Sequence, residues 1–265
     1  MAVFIPVIAK AEVGDYNHNV DMTQEEYNHL LQLGFTEQEV YFMGENEFEE
    51  NKHLEGEVVG ETTQYYMSTI NHVTGESRSY IIDESGYNIP LVMQRGNGYV
   101  ETVYKKMTTT ISSINTYYRY KVTLEWKQMP ATRSWDIIAI AMEPTKVYMR
   151  SSITFQQNYC LTTGACYSSL SHQPSSQTYG GGASFPIPTG NLKSLSSYLY
   201  FNVDKSTSAT ITRLFAQGDY AHATSTVSQS SISYTLSAGG IHLNSNIISK
   251  YDTMQFAEAS WYGTW

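Results

Sequence analysis

Residues 118–127 read Tyr118-Arg119-Tyr120-Lys121-Val122-Thr123-Leu124-Glu125-Trp126-Lys127. Tyr118, Tyr120, Val122, Leu124 and Trp126 fall on one side of an extended chain. Arg119, Lys121, Thr123, Glu125 and Lys127 fall on the other. This period of two predicts a half-buried antiparallel strand, with the aromatic and aliphatic side in a core and the charged side away from it.

The same pattern extends outward in both directions. Residues 136–142 form a near-continuous apolar run (Ile137, Ile138, Ala139, Ile140, Ala141), as in a strand covered on both faces. Val147 and Met149 alternate with Lys146, Tyr148 and Arg150. Residues 198–203 and 211–215 read as further strands, and alternation returns at Ile232, Tyr234 and Leu236. Turn signals lie between these runs at 72–75, 96–98, 128–134 and 239–240. The expected fold class is therefore mainly β, an antiparallel β-sandwich-like body over residues 57–265. Residues 171–191 carry Pro174, Gly180, Gly181, Gly182, Pro186, Pro188 and Gly190. They read as a long Gly/Pro/Ser loop, either functional or dividing the body.

Residues 12–56 differ in kind and read as a small N-terminal α-helical segment. From residue 12 to residue 61 there are fourteen carboxylates and one base, Lys52, whereas residues 62–265 carry a net charge of +3. Thr23-Gln24-Glu25-Glu26 and Thr36-Glu37-Gln38-Glu39 are capping boxes. Tyr27, Leu30 and Leu31 follow the first at helical spacing, with Gly34 as a C-terminal stop; Val40, Phe42 and Met43 follow the second. Phe48 anchors a third turn. Such an acidic unit either docks on the mildly basic body or presents a solvated face.

The first eleven residues, MAVFIPVIAKA, end in Ala9-Lys10-Ala11 after an apolar stretch, the pattern of a signal-peptide remnant; an N-terminal strand is the alternative. Export agrees with Cys160 and Cys166, which flank a five-residue turn and suit a short-range disulfide. The chain of 265 residues has a net charge of −9, and only 15% of its residues are charged. That balance excludes the basic footprint of a nucleic-acid binder. Hydrophobic residues make up 41%, which argues against disorder.

Few motifs carry chemistry. Asp15, Asn17, Asn19, Asp21 and Glu26 match the oxygen spacing of an EF-hand-type calcium loop, and residues 15–26 resemble the loop of a dockerin repeat. Val20 stands where that loop wants glycine. Otherwise no cofactor is expected. The seven histidines lack metal-ligand spacing, Gly182-Ala183-Ser184-Phe185-Pro186 fails as a nucleophile elbow, and Gly180–Gly182 lack the Lys-Ser/Thr of a phosphate loop. Aromatic residues are abundant, and Trp261, Tyr262 and Trp265 crowd one end, suited to stacking on sugars or contacting protein. Ser/Thr-rich stretches at 108–113, 206–212 and 224–237 have the composition of membrane-inserting β-hairpins.

The runs TQEEYNHLLQLGFTEQEVYFMGENEFEENKHLEG (23–56), LEWKQMPATRSWDIIAI (124–140) and DYAHATSTVSQSSISYTLSAGGIHLNSNIISKYDTM (219–254) resemble a group of uncharacterised secreted proteins of Gram-positive bacteria. The resemblance implies export to the envelope or medium and a helical lead before a β body. It brings no catalytic residues. The expected function is a secreted, non-enzymatic protein binding an extracellular or cell-surface ligand. A β-pore-forming toxin, which alone would make a membrane the partner, and an extracellular hydrolase are the alternatives.

Overall fold

The computed structural model describes residues 19–88 and 100–265. The segment 1–11, the calcium-loop positions Asp15 and Asn17, and the turn at 96–98 lie outside the described residues. Three short helices come first: α1 (Gln24–Gln32), α2 (Glu37–Phe42) and α3 (Glu45–Asn51). Both capping boxes form: Thr23 and Thr36 each accept an N3 amide, while Glu26 and Glu39 reach back to the cap. Gly34, at φ +98°, ends α1. The Phe35 amide donates to the Leu30 carbonyl and the Gly34 amide to that of Leu31, the bond pair of a Schellman stop.

The body begins with β1 (Gly56–Asn71), β2 (Ser77–Ile82), a turn of helix α4 (Glu84–Tyr87), β3 (Val100–Ile114) and β4 (Tyr117–Trp126). There follow β5 (Trp135–Ala141), β6 (Val147–Met149), β7 (Thr154–Leu161), β8 (Cys166–Ser169), β9 (Gln173–Gln177) and β10 (Gly180–Pro186). The chain closes with β11 (Leu192–Lys205), β12 (Arg213–Ala223), β13 (Tyr234–Ser237), β14 (Gly240–Leu243), β15 (Tyr251–Thr253) and β16 (Ala257–Tyr262). The larger sheet runs β2-β1-β3-β4-β11-β7-β8, with β6 also on β11. The smaller runs β15-β12-β5-β10-β9, with β16 also on β12. Every described pairing is antiparallel, so the protein is a mainly β, two-sheet sandwich with a helical lead.

Between the sheets lies the main core. Tyr118, Tyr120, Val122, Leu124 and Trp126 of β4 meet Ile138 and Ile140 of β5, Phe185 of β10 and Tyr220 of β12. Lys105 of β3 and Asp252 of β15 tie the sheets across this core at 2.7 Å, with side chains 0% and 1% exposed. Burial works to raise the Asp252 carboxyl, but the Lys105 ammonium and serine hydroxyls hold it below the usual range. The outer face of the smaller sheet is covered in turn by the β13–β14 hairpin. Ile232, Tyr234, Ile241 and Leu243 pack over Ile137, Ala221 and Ala223 there.

Two expectations are corrected. Part of the charged side of β4 does not face water: Arg119, Lys121 and Thr123 are each 3% exposed, because the helical lead lies over them, whereas Glu125 is half-buried and Lys127 exposed. Leu30, Leu33, Phe35, Val40 and Phe48 pack on Ile114, Tyr198 and Tyr200 of the larger sheet, so the acidic segment docks rather than standing in solvent. The charged groups among them are tolerated because they find partners. Lys121 donates to Glu39 and, at 2.6 Å, to the Gly34 carbonyl; Arg119 donates to Asn51 at 2.7 Å. Tyr198 donates to Glu47 at 2.7 Å, and desolvation still pushes the Glu47 carboxyl upward.

The second correction concerns residues 171–191, which are not a loop. They form β9 and β10, and β10 pairs with β5 over its whole length. The glycines read as loop punctuation serve close packing instead. A Cβ on Gly181 would meet Ile153 at 2.9 Å, and one on Gly182 would meet the Tyr234 hydroxyl at 2.8 Å.

Candidate binding groove

A groove of about 550 Å³ opens where the helical lead meets the edge of the sandwich. It is lined by Gln32 at the end of α1, by Glu55, Glu57 and Val59 along the start of β1, by Ser113 and Asn115 at the β3–β4 turn, and by Tyr118 and Trp261. Glu55 and Glu57 are exposed on either side of the less exposed Gly56, as alternation in an extended chain requires, and Val59 follows at an irregularity in the β1–β3 ladder. Asn115 turns the hairpin at φ +48°, a left-handed value asparagine tolerates, and its amide donates to the Glu55 carbonyl at 2.9 Å. That bond fixes the turn against the start of β1.

Glycines bring the far end of the chain into this wall. A Cβ on Gly60 would lie 2.5 Å from the Ser260 carbonyl, so only glycine lets β16 cross β1 this closely. Gly263 does the same for the indole of Trp261, whose ring a Cβ would meet at 2.2 Å. The Trp261 ring rests on Tyr118 at 5.1 Å between centroids, and Trp265 packs edge-on against the same tyrosine at 4.7 Å. The half-buried indole is thus held rigidly with part of its surface lining the groove. Around it Gln32, Glu55, Glu57 and Asn115 are exposed, and their side chains have no partner among the described residues. No lysine, arginine or histidine lines the groove.

The three aromatic residues singled out in the sequence separate. Trp261 lines the groove, Trp265 supports it from behind with Lys205 5.5 Å from its ring, and Tyr262 is 70% exposed with the Arg213 guanidinium 5.6 Å from its ring. Cys160 and Cys166 form a disulfide across the β7–β8 pair. Of the calcium-loop residues, Asn19 donates to the Phe42 carbonyl at 3.2 Å, Asp21 is exposed, and Glu26 caps α1. Hydrogen bonds from Thr23 hold the Glu26 carboxyl below the usual range. Among the described residues no three His, Cys, Asp or Glu side chains gather as a metal site.

A histidine–carboxylate pair does exist. His222 Nδ1 lies 2.9 Å from Asp136, which also accepts from the Tyr220 hydroxyl and, at 2.9 Å, from the Ala223 amide. Both residues are 0% exposed and neither lines the Trp261 groove, so the pair braces β5 against β12. A second groove, of about 660 Å³, lies between β9–β10 and the β13 segment and is lined by uncharged groups such as Gln173, Ser175, Ser184 and Tyr234.

Gln32, Glu55, Glu57, Asn115 and Tyr118 are groove residues that the sequence did not reveal. The one usable signal was Gly60 inside a strand pattern, which marks a close approach of another backbone.

No family model and no curated protein matches the sequence. Solved structures similar at low level include the following two. One is named BspA_C_WT, with 6% identity, a TM-score of 0.31, and 79% of this chain and 92% of that chain covered. The other is the Streptococcus agalactiae AgI/II polypeptide BspA C-terminal domain, with 7% identity, a TM-score of 0.31, and 79% and 81% covered. Likeness of this degree carries no argument about function.

Proposed function

We propose that this protein is an extracellular, non-enzymatic bacterial surface-interaction protein that binds a saccharide in the Trp261 groove. The observation that carries the reading is a fixed indole surface ringed by four unpartnered amide and carboxylate side chains. A sugar ring offers a C–H face to an indole and hydroxyls around its rim, and those hydroxyls suit Gln32, Asn115, Glu55 and Glu57. The enclosed position of His222 and Asp136 speaks for binding rather than turnover. The disulfide agrees with an oxidising compartment outside the cell.

A panel of immobilised bacterial and host glycans tests the reading. Binding that falls at least tenfold in Trp261→Ala and is unchanged in Tyr262→Ala supports it. Binding indifferent to Trp261, or sugar release from the panel, overturns it. Liposomes loaded with dye stay sealed under this reading, whereas a pore-former empties them.

A further inference from the structure

We infer that the saccharide taken by this groove carries protonated amines, as in an oligomer of unacetylated amino sugars; this rests on the saccharide reading above. Glu55 immediately precedes β1 and Glu57 is the second residue of that strand; both are exposed and line the groove, and two residues of extended chain separate their backbones by roughly 7 Å. Neither carboxylate has a basic partner among the described residues. An anionic sugar brought here would meet two negative charges and no positive one, and a neutral sugar would leave both charges without a counterpart.

The indole favours the same choice. An ammonium beside an aromatic face is attracted by the ring quadrupole. The aromatic cluster at this end already takes cations from its own chain: Lys205 on Trp265 and Arg213 on Tyr262. Trp261 has no such cation among the described residues. Beyond the groove, the described residues 19–61 carry twelve carboxylates and one lysine or arginine, a negative excess that draws cationic chains toward the helical lead. Gln32 and Asn115 supply amides for the ring hydroxyls, which a bare polyamine does not have.

The test is calorimetric titration of the whole protein at about pH 6, where a sugar amine is charged, with four probes of matched length. They are a glucosamine oligomer, its fully N-acetylated form, a neutral glucose oligomer and a linear polyamine. The expected result is binding of the glucosamine oligomer about tenfold tighter than either uncharged sugar and the polyamine. Glu55→Gln combined with Glu57→Gln should reduce the amino sugar to the level of its acetylated form. Both sites are exposed, so an unchanged thermal midpoint shows that the fold is retained. Equal binding of all three sugars overturns the amine preference and leaves the saccharide reading standing. Polyamine binding as tight as the amino sugar overturns the amino-sugar proposal in favour of charge alone. Failure of every sugar overturns both readings.

Discussion

Glu39 of α2 and Lys121 of β4 form an ion pair from which water is excluded, with side chains 1% and 4% exposed. It joins the acidic lead to the sheet beneath. The same carboxylate accepts from Thr123 Oγ1 at 2.6 Å and from the Thr36 amide at 2.8 Å, so one side chain caps its own helix and receives a buried cation. The asymmetry of charge along the chain therefore has a structural use: the negative segment covers positive groups on the sheet.

Removing one partner of this pair should be far worse than removing both. Glu39→Ala leaves the Lys121 ammonium buried with only the Gly34 carbonyl and should destabilise the protein by about 3–5 kcal/mol in urea unfolding. The double variant Glu39→Leu with Lys121→Met should recover most of that loss. A single variant within about 1 kcal/mol of the parent would show that the lead does not rely on this pair.

Asp219 predicts a pH dependence. Its carboxyl is buried beneath the β13–β14 hairpin, and desolvation pushes it up to about 7, although the Ile241 and Tyr220 amides donate to it and pull the other way. A carboxyl whose folded value exceeds its unfolded value of about 3.9 binds more protons when folded. Its stabilising contribution is complete below about pH 4 and is lost as pH rises through about 7. Asp219→Asn should flatten the stability profile between about pH 4 and pH 7 relative to the parent. Parallel profiles for the two proteins would contradict this assignment.

The Cys160–Cys166 disulfide closes a short loop in a strand pair at the edge of the larger sheet. Reduction should cost about 2 kcal/mol at most, because few unfolded conformations are removed by so small a ring. The expected signature is local: faster protease cleavage near residues 161–165, with the main unfolding transition retained. Global unfolding on reduction would contradict it.

Gly60→Ala places a methyl group against the Ser260 carbonyl. The strands must separate, so tryptophan emission should shift to longer wavelength as Trp261 loosens, and stability should fall by about 1–3 kcal/mol. Gly239→Ala is the control, since its Cβ would make only ordinary contacts, the nearest at 3.6 Å.

Local pattern carried much of the architecture. Alternation in residues 118–127 and the apolar run of residues 136–142 each correspond to a strand, and both threonine caps were legible as four-residue motifs. What was misread depends on distant partners. Lys121 looks like a solvated residue until Glu39, 82 positions away, is placed over it. Gly181 and Gly182 look like loop residues until Ile153 and Tyr234 fill the space beside them. The groove draws on α1, β1, the β3–β4 turn and β16, and no spacing rule links those positions. Only the aromatic terminus and Gly60 pointed toward it.

Trp261 lies on the final strand and Gln32 on the first helix, so the groove depends on elements from opposite ends of the described chain. A chain lacking either the docked helices or β16 lacks a complete wall and has no pre-formed weaker version of the site. Occupancy is therefore coupled to completion of the whole fold, and by mass action any ligand held there resists unfolding in proportion to the logarithm of its concentration.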